Sequence, residues 1–134
     1  MFFILVVALA AAGYYWYQGR DERYAKQVID CMYAGSFEPI KDTLNSKSKE
    51  TLDSPQIKNQ LCQVGVQLKN EYGDVDKLEF KSEEPVTDAP QEYGGNVVKK
   101  TWTATSKKGT FDWMFYMDKD GKLIFATPGR LIPQ

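Results

Sequence analysis

Histidine is missing from all 134 residues, which removes the side chain that most often acts as a general base near neutral pH and most often binds a metal. Cysteine is nearly missing too. Cys31 and Cys62 are the two that occur, and with no histidine or further cysteine beside either, zinc and iron–sulfur readings fail on ligand count. No metal and no cofactor is expected. Neither charge sign is in excess, since 17 lysines and arginines face 18 aspartates and glutamates, so charge gives no reason to expect nucleic acid, a polyanion or an acidic lipid surface as the main partner. A phosphate-binding glycine loop, a serine nucleophile elbow and a metal-binding helix are also lacking. Together these gaps weaken every enzyme reading without removing it.

What is present begins with a charge-free start. Phe2 to Gly13 reads FFILVVALAAAG, and Tyr14, Tyr15, Trp16 and Tyr17 follow before Arg20 and Asp21. A cleaved signal peptide combines a basic start, an apolar stretch of about 7 to 15 residues and small residues before the cut; Ala8, Ala10 and Ala12 satisfy the last condition, but the basic start is absent. A retained anchor needs about 17 or more apolar residues, and Phe2 to Tyr17 only just reaches that length. Tyr and Trp rings settle at headgroup level, so the YYWY run favours an anchor in which Phe2, Phe3 and Leu5 sit in the hydrocarbon and Tyr14, Trp16 and Tyr17 form an interfacial belt. The expected division is therefore a signal-anchor or signal peptide over 1–19 and one domain over 20–134. Arg20, Arg23 and Lys26 after the span argue for a cytoplasmic domain by the positive-inside tendency. The signal-like small residues and the cysteine pair argue for export, and the reading leans to an inner-membrane protein with its domain in the periplasm, or one secreted there.

In an oxidising compartment Cys31 and Cys62 can cross-link two helices and stabilise the fold by about 3 to 4 kcal/mol on the loop-entropy model. Two buried thiols acting as small apolar residues account for them equally well.

Along the domain, DERYAKQVIDCMYAG places Tyr24, Val28, Cys31 and Met32 at helical spacing with Gly35 as the stop. Ser36 is positioned to cap a shorter helix, FEPIKDTL, whose Pro39 suits a first turn. NSKSKETLD reads as a loop or a broken helical turn. Ser54 and Pro55 then open a third helix with Ile57, Leu61, Val64 and Leu68 on one stripe. After Gly73 the apolar period changes from about 3.6 to 2. Strands are expected over 75–81, 97–106, 110–117 and 122–127, with a loop over 82–96 and the turn DKDG before the last strand. In the third of these, Phe111, Trp113, Phe115 and Met117 face one side, while Thr110, Asp112, Met114 and Tyr116 face the other. The expectation is an α+β fold: an N-terminal hydrophobic helix, then about three helices packed on a curved four-stranded antiparallel sheet.

With its helices first and an antiparallel meander closing on FYMDKDGKLIFATP, the chain resembles the nuclear transport factor 2-like, or cystatin-like, cone-fold superfamily in element order over about residues 20 to 128. Small exported bacterial proteins and the membrane-anchored assembly component of type IV secretion systems share this layout. The resemblance implies a domain behind a single span. In the isomerases, dehydratases and cyclases of that superfamily it implies an apolar pocket with an Asp, His or Tyr at its base. It does not imply one function.

Four residues are candidates for a pocket or interface: Trp102 and Tyr116, because their strand faces also carry polar groups; Asp112, the carboxylate inside a strongly apolar strand; and Tyr93 in the loop. Phe111, Trp113 and Phe115 are expected in the core. Asp118, Asp120 and Gly121 match only part of a calcium loop and are read as a hairpin turn. Lys99, Lys100, Lys107 and Lys108 are read as solvated strand lysines that discourage edge pairing. The leading functional expectation is a non-enzymatic, membrane-anchored envelope module that presents the sheet side to a protein partner or a small apolar ligand. The rivals are a pocket enzyme of isomerase or dehydratase type using Asp112 or Tyr116 for proton transfer, and an immunity-type toxin inhibitor.

Overall fold

The computed structural model describes residues 22–89 and 95–133; the expected membrane segment and Tyr93 lie outside the described residues. The first helix, α1, comprises residues 22–34. Ala25, Val28 and Ile29 recur at spacings of three and four and are all buried with Cys31, so one stripe of α1 enters the core. The helix stops at Gly35, whose φ of 71° lets its N–H return to the Cys31 carbonyl at 2.9 Å.

The short helix expected next is a 3-10 helix, Glu38–Thr43, with Pro39 in its first turn. Ser36 does not cap it; Phe37 holds the cap position and makes no side-chain cap bond. Of the two readings of the next segment, loop or broken helical turn, the helical one is nearer: α2 spans Ser46–Leu52 as a short regular helix, and the Asn45 side chain accepts the Lys47 N–H at 3.0 Å as its N-cap. None of the α2 residues is buried, which is why no apolar stripe marks it in the sequence. The third α-helix, α3, runs Pro55–Tyr72 as expected, although Ser54 makes no side-chain cap bond.

Only part of the expected α3 stripe is used. Gly65 and Tyr72 are its buried residues, while Val64 is 41 % exposed. The contact with α1 is a close backbone approach: a Cβ at Gly65 would lie 2.5 Å from the Tyr33 carbonyl oxygen and 2.7 Å from that of Met32. A larger residue there would force the helices apart.

Among the described residues the sheet has five strands, β1 Val75–Val86, β2 Val97–Ser106, β3 Gly109–Met117, β4 Leu123–Pro128 and β5 Ile132–Pro133. The order is β1-β2-β3-β4, all antiparallel, and β5 pairs with the start of β3. The α+β class stands, with a fifth strand that the sequence did not mark. β4 and β5 therefore share one side of β3, and between them the Gly129 N–H bonds to the Asp112 carbonyl at 2.7 Å. β1 also runs beyond its expected end, pairing Glu83 with Lys100 and Glu84 with Lys99 across the strands. Those lysine partners, at 3.8 and 3.9 Å, offset the acid-rich composition that made the stretch look like loop.

Alternation puts Phe111, Trp113, Phe115 and Met117 on the face that meets the helices, and all four are buried. Trp102 lies opposite Trp113, and Ala104 opposite Phe111, on that same face. The core forms where this face meets α1, Ile40, Leu44 and Tyr72.

Candidate functional site

Three features stand outside the core: the sheet face turned away from the helices, a buried polar staple at the turn between β3 and β4, and a groove on the helical side.

The outward sheet face carries the alternate residues of β2, β3 and β4. Cross-strand pairing sets Lys99 beside Tyr116 and Phe125, Thr101 beside Met114 and Thr127, and Thr103 beside Asp112. Tyr116 and Phe125 stack with ring centroids 4.3 Å apart and planes inclined by 16°, and Phe125 remains 50 % exposed. Asp112 also lies here. Its Oδ2 accepts from the Lys81 ammonium at 2.8 Å and its Oδ1 from the Thr103 hydroxyl at 3.1 Å. Both carboxylate oxygens are thus engaged in tying β1, β2 and β3 together across the sheet.

Trp102 does not share that surface. It is 6 % exposed, belongs to the core, and meets Phe80 edge to face with centroids 5.4 Å apart. The polar residues of its strand face are themselves engaged, Lys100 with Glu83 at 3.8 Å and the buried Ser106 hydroxyl with the Tyr72 carbonyl at 2.5 Å, and at Trp102 itself the neighbours are Phe80 and Trp113. Of the four sequence candidates, Asp112 and Tyr116 therefore share the outward face, Trp102 is a core residue, and Tyr93 lies outside the described residues.

The staple was not foreseen. Asp118, which follows β3, is buried, and its Oδ2 accepts from the Asn45 amide at 2.6 Å. Its Oδ1 accepts the backbone N–H groups of Asp120 and Lys122, both at 2.9 Å, closing the turn before β4. Burial alone would raise this carboxyl, but the Asn45 bond, the two backbone donors and the Lys122 charge outweigh it and hold the group below the ordinary carboxylate range. Asn45 thereby caps α2 with one amide atom and clasps β4's turn with the other. Around it, Leu44 forms a parallel bridge with Leu123, the Asn45 N–H reaches the Leu123 carbonyl at 2.8 Å, and the Ser48 hydroxyl reaches the Ile124 carbonyl at 2.7 Å. The free edge of β4 is covered in this way at its first two residues, Leu123 and Ile124. The signal in the sequence was local on both sides, an Asn before a lysine-rich helical turn and an Asp opening DKDG; only their pairing was hidden.

The groove, about 390 Å³, lies between residues 35–44, α2 and the first half of α3. Phe37, Leu44, Leu52 and Leu61 line its apolar part. Lys41, Lys49 and Lys58 stand on its wall with Glu38 and Asp53. The Cys62 thiol, exposed and free, opens onto it, whereas Cys31 is free but buried. Neither thiol reading made from the sequence describes this asymmetry. Burial, with the nearby Asp30 charge, raises the Cys31 thiol and leaves it a weak nucleophile. Neither Asp112 nor Tyr116 lines the groove.

The half-buried Tyr33 and the buried Tyr72 are structural. Tyr33 donates to the Gly73 carbonyl at 2.8 Å, and burial, together with the charges of Asp74 and Asp30 and the neighbouring Tyr72, pushes its phenol up to about 12. Tyr72 donates to the Gly129 carbonyl at 2.9 Å, fixing the end of α3 to the break between β4 and β5. Among the described residues no cluster of three or more His, Cys, Asp or Glu is arranged to hold a metal ion, and no helix is long and apolar enough to cross a membrane. Comparison with protein-family models, with curated proteins and with solved structures finds no match for this chain.

Proposed function

We propose that the chain is a non-enzymatic binding or assembly module of the bacterial envelope, anchored by residues 2–17 and recognising a protein partner through the outward face of its sheet. The observation that carries this reading is the stacked Tyr116–Phe125 pair with its half-exposed phenyl ring. Rigid aromatics on a sheet surface offer large contact area at little cost in side-chain entropy, which is the character of interface anchors. The commitment of both Asp112 oxygens to Lys81 and Thr103 supports a scaffold role for that carboxylate over proton transfer. The order of helices before an antiparallel meander supports a cone-like domain of the nuclear transport factor 2-like kind, and the apolar start with its YYWY run supports the anchor. A periplasmic domain is part of the same proposal.

The test is recovery of partners by the full chain from its native membrane in mild detergent, wild type against Phe125→Ser. Truncating an interface anchor costs about 2 kcal/mol or more, on the order of thirtyfold in affinity, so a partner held by the wild type should be lost by the variant while its thermal unfolding stays unchanged. A partner retained equally by Phe125→Ser, or none recovered with wild type, would reject the reading.

A further inference from the structure

The groove on the helical side is remote from Tyr116 and Phe125 in sequence, lies on different elements, and has a chemistry of its own. Its volume of about 390 Å³ falls in the range of about 300 to 1,000 Å³ typical of small-molecule sites. Phe37, Leu52 and Leu61 are only half-buried and give it an apolar lining that favours an apolar ligand body. The charges on its wall are unequal. Lys41 is drawn to Glu38 at 3.5 Å, which leaves Lys49, Lys58 and Asp53 as the other charged residues of the lining. Among the described residues neither Lys49 nor Lys58 has an ion-pair partner, and with three lysines against Glu38 and Asp53 the lining carries one net positive charge beside its apolar part.

We infer that this groove binds a small monoanionic amphiphile: a carboxylate directed at Lys49 and Lys58, with a compact aromatic or aliphatic body over Phe37, Leu52 and Leu61. One net positive charge matches one carboxylate. A cation of the same shape meets two lysines, and a neutral alcohol keeps the apolar contact but loses the attraction. This goes beyond the protein-binding reading, because it concerns another surface and another class of ligand.

Cys62 supplies a built-in reporter, since its thiol is exposed and on the groove lining, while Cys31 is buried and serves as an internal reference for unfolding. The experiment uses the full chain in lipid nanodiscs, where detergent tails do not compete, and follows alkylation of each cysteine by neutral iodoacetamide with peptide mass spectrometry. The probes are 4-phenylbutyrate, 4-phenylbutanol and 4-phenylbutylamine. The carboxylate is expected to slow Cys62 alkylation in a saturable way, approaching about tenfold at ten times its Kd, with the alcohol weaker and the amine without effect. The Lys49→Glu, Lys58→Glu double variant, folded by its thermal transition and by the slow reaction of Cys31, should lose that protection. Absence of protection by the carboxylate, equal protection by all three probes, or protection that survives charge reversal would each overturn the inference. None of these outcomes depends on Phe125, so the groove and the sheet surface stand or fall separately.

Discussion

α1 and α2 are fastened to the same sheet by opposite means. α1 buries Ala25, Val28, Ile29 and Cys31 in the core, so it is held by the removal of apolar surface from water, at about 25 cal/mol for each Å². α2 buries no residue. Apart from Leu52, which is partly buried against the core, it is held by directional bonds: Asn45 to Asp118, the Asn45 N–H to the Leu123 carbonyl, and the Ser48 hydroxyl to the Ile124 carbonyl. α3 lies between these extremes, anchored by Gly65 against α1 and by Tyr72 at its end, with Val64 and Val66 exposed. The apolar attachment gives a general adhesion that tolerates small shifts, whereas the polar one sets a fixed position and contains a titratable group. The groove sits on the polar side of this division, between α2 and α3.

The largest effect should come from weakening the apolar attachment. Ile29→Ala removes a side chain with no solvent exposure from α1 and is expected to cost about 2 to 5 kcal/mol, measured by denaturant unfolding with unchanged m. A cost under about 1 kcal/mol would mean that α1 can repack and that burial is not what holds it.

A smaller and pH-dependent effect is expected at the polar attachment. In Asp118→Asn the new amide sets an N–H₂ group or a flipped turn against the Asn45 amide, whose oxygen is already occupied by Lys47, and the loss is expected to be about 2 kcal/mol near neutral pH. The sign of the pH dependence follows from the lowered carboxyl. The contribution of Asp118 is complete above the ordinary unfolded value of about 3.9 and disappears as pH falls through the lower folded value. Wild type and Asp118→Asn should therefore converge in acid and diverge above it, as followed by thermal unfolding across pH. A gap that stayed constant through the acid range would show that the carboxylate charge is not what clasps the turn. The Ile29→Ala gap, by contrast, should not vary through this range.

The smallest effect is expected at Val64. Its exposed side chain on α3 should yield Val64→Ala within about 0.5 kcal/mol of wild type in the same unfolding assay, as for other surface positions. A larger loss would mean that this part of α3 is covered by a contact outside the described residues.

Much of the fold was legible in the sequence because it is written in short-range periodicity. The stop of α1 at Gly35, the extent of α3, the change of period after Gly73, and the two-sided pattern of β3 all appear where the sequence places them. Where the reading failed, the stabilising partner was distant. α2 lacks an apolar stripe and depends on β4, more than 70 residues away. The end of β1 is acid-rich and becomes strand beside Lys99 and Lys100 of β2. β5 is two residues long and exists by pairing with the start of β3.

The candidate sites divide in the same way. Alternation alone assigned Asp112 and Tyr116 to the outward face and Phe111, Trp113 and Phe115 to the core, because side chains in a strand must alternate whatever the strand packs against. Nothing local distinguishes Trp102 as a core residue, since that depends on Phe80 and Trp113 from neighbouring strands. The groove is further still from local pattern, assembled from residues 35–44, α2 and α3. Composition and period determined the class of fold and the faces of its clearest elements, because both are properties of neighbours along the chain. The polar clasp at Asp118, the different fates of the two thiols and the chemistry of the groove were decided by tertiary structure, because each needs groups that meet only once the helices have been laid on the sheet.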